Sequence, residues 1–228
     1  MHKSLKNALG LSFPSILAVV GCGGKTSFIE LAARSYPSMK VLISPTTKMF
    51  PLNAGNAHCR GIFNENSGKL EALPADELAG LTAQYDLSLL EADGSRSLLC
   101  KGWREDEPVV PEYCTHTIGI VTMSLLGEAA TDGAVHNLPL FLSLTGLRES
   151  QLITMQALMS MVCAPGGMFK NSAGSRVLLV NQVEDDSTCN QAYRFLEEII
   201  KSYPGFFDKL LFGSVHRDTF EEVRNDIQ

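Results

Sequence analysis

"VVGCGGKTSF" (Val19–Phe28) decides how the rest of the chain is read. It closes on Gly24-Lys25-Thr26, as phosphate-binding loops do, yet it is short. In the G-x-x-x-x-G-K-[ST] form a glycine would stand where Val19 stands. The flanks supply the missing context. Upstream, "SILAVV" (15–20) is a continuous apolar run ending in glycines, the composition of a fully buried strand. Downstream, "TSFIELAARSY" (26–36) sets Phe28, Ile29, Leu31, Ala32 and Ala33 in a buried helix stopped by Pro37. A glycine turn between strand and helix aims backbone amides and the helix dipole at phosphate oxygens. Gly21, Gly23 and Gly24 let the backbone approach without a Cβ clash. The Lys25 ammonium then reaches the β- and γ-phosphates, and the Thr26 hydroxyl is a ligand for Mg²⁺. Cys22 and Ser27 complete the expected nucleotide-binding turn, Gly21 to Ser27.

Beyond this unit, strands and helices alternate. Strands are expected at 40–44, 86–93, 115–123, 176–183 and 209–215, and helices at 74–85, 138–146, 150–162 and 188–203. Residues 51–72 read as irregular or a small inserted hairpin, with "HCRGIF" (58–63) as its strand. Residues 94–114 form a long polar connection, expected to act as a lid. Strands that are apolar without alternating imply a three-layer α/β fold, a mostly parallel sheet with helices on both faces. The whole chain, 1–228, is expected to be one domain of the kind that carries phosphate loops. Ligands of such sheets sit at the carboxyl ends of the strands.

Chemistry-bearing residues gather at those ends. "LSLLEADGSR" sets Glu91 and Asp93 two residues apart, so both face the same way. They are candidate Mg²⁺ ligands alongside Thr26, and candidates to order the attacking water. Arg96 and Lys101 follow as cations for phosphoryl charge. Lys25, Glu91, Asp93, Arg96 and Lys101 make up the expected catalytic set. After the second strand, "SPTTKMF" offers Thr46, Thr47 and Lys48 at the same sheet edge. "VNQVED" (180–185) stands where GTP-specific proteins carry Asn-Lys-x-Asp, which makes Asn181 a candidate base contact. Gln182 and Glu184 depart from that motif, and Asp185 offers an alternative acid for guanine.

Composition bounds the rest. The chain is 45% hydrophobic and 19% charged, enough for a large core and contrary to a disordered chain. A net charge of −6 with no dense Lys/Arg cluster argues against nucleic acid as a partner. No apolar run approaches a membrane span, and residues 1–15 read as a short leading helix, so a cytoplasmic location is expected. The six cysteines contain no C-x-x-C pair and read as reduced, buried thiols.

Four segments in order, VVGCGGKTS, PTTKMF, EADGSR and DEPVVP (106–111), resemble the YqeC family from about residue 17 to residue 184. The short glycine loop is that family's own form. Pro45, Asp106 and Gln182 depart from the family pattern at positions where a threonine, a histidine and a lysine are usual. The resemblance implies an accessory protein of selenium-dependent molybdenum hydroxylases, with the hydroxylase or its cofactor as partner. A more distant likeness of Glu91-Ala-Asp-Gly to nickel-insertion GTPases suggests nucleotide-gated cofactor delivery. The leading expectation is therefore a Mg²⁺-dependent NTPase using ATP or GTP. A small-molecule kinase or ATP-dependent ligase, and a nucleotide-sensing adaptor without turnover, stand as alternatives.

Overall fold

The computed structural model describes residues 2–96 and 98–223. The chain opens with α1 (Leu5–Leu9), β1 (Ser15–Gly21), α2 (Lys25–Ser35) and β2 (Val41–Pro45). Four short strands follow: β3 (Lys48–Met49), β4 (His58–Cys59), β5 (Ile62–Asn64) and β6 (Lys69–Glu71). Next come α3 (Ala75–Thr82), β7 (Leu87–Glu91), β8 (Cys100–Lys101), β9 (His116–Thr122) and β10 (Val135–His136). The last part holds α4 (Leu138–Thr145), α5 (Met155–Cys163), β11 (Ser175–Asn181), α6 (Asp186–Ser202), β12 (Lys209–Ser214) and β13 (Thr219–Val223).

Eight strands form the central sheet in the order β13-β12-β11-β9-β1-β7-β2-β4. All neighbours run parallel except β12 and β13, an antiparallel edge pair. Along β1 the side chains alternate between two apolar layers. Leu17 and Val19 join Phe28, Ile29 and Leu5 under α2 and α1. Ala18 and Val20 join Leu158, Phe195 and Phe141 under α5, α6 and α4. Burial on both faces is why these strands lack a polar face, and it makes a three-layer α/β sandwich. β1 lies between β7 and β9, where the strand order changes direction, so its carboxyl end opens into a crevice. The register sets Val19 opposite Glu91, which brings the acidic end of β7 alongside the glycine turn.

Several expected elements differ from those observed. The segment 58–63 is two strands in different sheets: β4 extends the main sheet, whereas β5 pairs with β6, and β6 with β3, in a separate three-stranded sheet. The helix expected from 150 starts only at Met155, because Thr154 caps it by accepting from the Ala157 amide. Residues before it run beside Ala129 through a bridge at Leu152. α6 begins two residues earlier than expected, at a capping box of Asp185 and Thr188. β13 is absent from the expected strands; of its Thr219–Val223 run only Phe220 is buried, so no periodic apolar signal marks it.

The connection 94–114 is also tied down. β8 pairs with β10, the Gly102 amide donates to the His136 carbonyl at 2.8 Å, and the Val109 amide donates to the Ala92 carbonyl at 2.9 Å. No helix among the described residues is long and apolar enough to cross a membrane.

Candidate nucleotide-binding site

The turn after β1 is built on three left-handed glycines. Gly21, Gly23 and Gly24 have φ of 94°, 87° and 127°, conformations that L side chains rarely adopt. Space forbids a side chain as well. A Cβ on Gly21 would lie 2.3 Å from the Ile120 carbonyl oxygen, and one on Gly24 would lie 2.4 Å from Asn181 Nδ2. Gly24 caps α2 without a side-chain bond, so the amides of the first helical turn point out unclaimed by the helix. Lys25 is the first residue of α2 and is buried; Thr26 and Ser27, next in the same turn, are exposed.

Lys25 folds back under the turn. Its Nζ donates to the Gly21 carbonyl at 2.6 Å and forms an ion pair with Asp93 Oδ1 at 3.0 Å. The Asp93 contact is a close charge pairing and not an aligned hydrogen bond. The other oxygen of Asp93 is crowded: Oδ2 accepts from the Gly21 amide at 3.0 Å and from Trp103 Nε1 at 2.7 Å. Lys101 Nζ stands 3.9 Å away and is itself held by the Gly94 carbonyl at 2.8 Å and Glu107 Oε2 at 3.1 Å. Burial pushes the Asp93 carboxyl up, but Lys25, Lys101, the Gly21 amide and the Trp103 indole together bring it below the usual carboxylate value. Burial likewise favours neutral Lys25, and Asp93, Cys22 and Glu91 outweigh it, so the ammonium stays charged.

A cavity of about 320 Å³ opens over this turn. Gly23, Gly24, Lys25, Thr26 and Glu91 line its floor, with Arg96 and Lys48 on the walls. Desolvation dominates at Glu91 and raises its carboxyl to about 7; Lys25 and Lys69 pull the other way. Among the described residues no ion pair or hydrogen bond engages that carboxyl. The site thus combines free helix-start amides, a fixed ammonium, an exposed threonine hydroxyl and one uncommitted carboxyl.

The YqeC protein family profile matches residues 17–139, more than half of the chain and all four motif segments. The chain belongs to the YqeC family. It is also 28% identical over 205 residues to the uncharacterized protein YqeC of Escherichia coli (strain K12), covering 78% of this chain and 79% of that one.

In this YqeC-family protein the expected site residues divide into two groups. Gly21, Gly23, Gly24, Lys25, Thr26, Glu91, Arg96 and Lys48 come together at the turn and its cavity. Arg96 is exposed and takes a left-handed φ of 51°. The others brace the site from behind. Lys101 is completely buried in the Asp93 network and does not reach the cavity. Thr46 donates to the Val109 carbonyl at 2.6 Å, and its amide donates to the Glu91 carbonyl at 3.0 Å, so it ties β2 to β7. The Thr47 hydroxyl is buried with no hydrogen-bond partner among the described residues, and the cavity-lining Lys48 beside it pairs with Glu71 at 2.8 Å. Cys22 is buried, which pushes its thiol to about 12 and leaves it an inert core group.

Asn181 braces the glycine turn through both polar atoms of its amide. Its Nδ2 donates to the Gly23 carbonyl at 2.8 Å, and its Oδ1 accepts from the Val215 amide at 2.9 Å. The acids after it are committed too. Glu184 accepts from the Ser214 hydroxyl at 2.8 Å and pairs with Arg217 at 3.5 Å, while Asp185 caps α6. Sequence reasoning missed Trp103, Glu107, Phe50 and Lys69. Trp103 is the chain's single tryptophan, and its place in a polar stretch, with Glu107 four residues on, gave no periodic signal.

Proposed function

We propose that this protein binds a Mg²⁺–nucleoside triphosphate, ATP or GTP, and hydrolyses it to drive maturation of a selenium-dependent molybdenum hydroxylase or its cofactor. One observation carries the nucleotide reading. Lys25, at the first position of α2 behind three left-handed glycines, shares a cavity with Thr26 and Glu91 at the carboxyl end of the central strand. Membership of the YqeC family supports the maturation role.

An ammonium has three N–H donors, and Gly21 and Asp93 engage two directions around Lys25. The remaining donor serves a β- or γ-phosphate oxygen, while the amides of the first α2 turn take others. Asp93 acts as a positioning residue, holding Lys25 charged and aimed. The residues fit a magnesium ion: Thr26 is exposed and Glu91 is uncommitted, and Mg²⁺ sites use one or two side-chain oxygens with the phosphates supplying the rest. Bound there, the ion neutralises phosphate charge. Among the described residues no three His, Cys, Asp or Glu side chains form a metal cluster, which such a site does not require. Ionised Glu91 also accepts a hydrogen bond from a water directed at the γ-phosphate. Arg96, at the mouth, offsets charge on the transferring group, a role that buried Lys101 is not placed to fill.

The test is release of inorganic phosphate from ATP and GTP with Mg²⁺ and no added acceptor. Steady release supports hydrolysis. Tight binding without release would make the protein a nucleotide-sensing adaptor.

A further inference from the structure

The cavity over the glycine turn has a second end that the phosphate chemistry does not use. From the floor it runs toward the β7–β2 side, where Met49, Phe50, Leu52, Leu98 and Leu99 form an apolar wall. Phe50 is 60% exposed and Leu99 38%, so this wall opens to solvent. Its charges differ from those of the floor. Lys25 is neutralised by Asp93 and Lys48 by Glu71, whereas Lys69 and Arg96 have no ion-pair partner among the described residues. Lys69 Nζ lies 4.8 Å from the centre of the Phe50 ring, so a cation and an aromatic face border the same opening.

We propose that this end binds a second ligand, an organic anion with an apolar ring, beside the nucleotide and not in place of it. The role as a second-substrate site rests on the nucleotide reading above. Two cations without an ion-pair partner among the described residues, Lys69 with only the longer-range field of Glu91, favour an anionic group, and the apolar wall favours a ring or hydrocarbon body over a small inorganic ion. The direction of the cavity separates the two ligands. From the floor it extends under the loops that follow β2 and β7, and only Gln182 reaches it from the β11 side. A nucleobase directed toward the β9–β11 side would leave the Phe50 end free. The three-stranded sheet of β3, β6 and β5 carries Lys69 and frames Phe50, while buried Met49 and Leu70 anchor it to the core under α2.

The probe is anilinonaphthalene sulfonate, an aromatic anion that fluoresces on entering an apolar site. It is titrated into the intact protein with and without saturating Mg²⁺–ATP. The proposal expects binding in both conditions. It expects Phe50→Ala and Lys69→Gln each to weaken the probe by about three- to tenfold, as for loss of one aromatic or cation contact. Phe63→Ala, a control on an equally exposed phenylalanine outside the cavity, should leave it unchanged. Lys25→Ala should lose nucleotide affinity and retain the probe. Competitive displacement of the probe by nucleotide would overturn the proposal, because the apolar end would then hold the base. Equal losses in the Phe50 and Phe63 variants would overturn it as well, by showing general adhesion to exposed rings. A wild type that binds the probe through Phe50 but binds no nucleotide would uphold this site while rejecting the nucleotide reading.

Discussion

Lys25, at the start of α2, and Asp93, just after β7, are both buried and lie 3.0 Å apart, and the carboxylate also accepts from the indole of Trp103 at 2.7 Å. The helix that would receive phosphate is therefore linked through one side chain to the segment after β7. In Asp93→Asn the amide keeps the shape but leaves Lys25 and Lys101 as buried ammoniums without their shared counter-charge. Loss of one member of a buried charge network costs about 3–5 kcal/mol. Urea denaturation of this variant should give an unfolding free energy lowered by that amount, read as a lower midpoint; an unchanged midpoint would mean that the network contributes nothing net.

Glu91 behaves differently, because no hydrogen bond or ion pair among the described residues holds its carboxyl. Glu91→Gln should fold normally and bind Mg²⁺–nucleotide within a few-fold of wild type, while phosphate release falls by about 10²-fold or more, as for removal of a preorganised catalytic group. Parallel binding and turnover assays separate the two effects. Full turnover in the variant would remove Glu91 from the chemistry.

The same carboxyl predicts a pH dependence of stability. Its value rises from 4.5 in the unfolded chain to about 7 in the folded one, mainly by desolvation. The folded protein thus holds the proton more tightly, and that contribution is complete below 4.5 and lost as pH rises to 7. Asp93 has the opposite sign: its lowered value gives stability above 3.8 that is lost as pH falls through the folded value. His116 and His136, both lowered mainly by desolvation, add stability that is lost as pH falls below 6.5. The difference between wild type and Glu91→Gln isolates Glu91. It should shift against wild type by on the order of 1–3 kcal/mol across that window, read from denaturation midpoints at several pH values.

Asn181 gives a prediction that distinguishes a brace from a base reader. Asn181→Ala removes the bonds to the Gly23 carbonyl and the Val215 amide and leaves both groups buried, a cost of about 1–3 kcal/mol each. The glycine turn should loosen and affinity for ATP and GTP fall together. Their ratio should stay within about tenfold, or 1.4 kcal/mol, before and after the change, since Glu184 and Asp185 are committed elsewhere. Competition of the two nucleotides against one fluorescent analogue measures it. A strong guanine preference lost in the variant would restore Asn181 as a base contact.

The contrast between legible and illegible parts has physical causes. The β1–turn–α2 unit was readable because buried strands, left-handed glycines and a buried helix each restrict residue type within a short window. Glu91 and Asp93 were readable as a pair, but their division of labour was not. It depends on Trp103, Lys101 and Gly21 closing around one carboxylate, contacts that no local pattern encodes. Asn181 shows a related limit: its position fits a nucleotide motif, while its bonds run to Gly23, 158 residues away in sequence, and to Val215, which no local pattern encodes. Two-residue strands such as β3, β8 and β10 are too short for periodicity to register.

The most direct test of the phosphate cradle is calorimetric titration of Mg²⁺–ATP into wild type and Lys25→Ala, with circular dichroism as the fold control. Lys25 contributes a charge-assisted bond to phosphate of about 1.5–3 kcal/mol, so affinity should fall by roughly ten- to a hundredfold or more while the spectrum stays that of wild type. Equal affinity in two equally folded proteins would contradict the cradle.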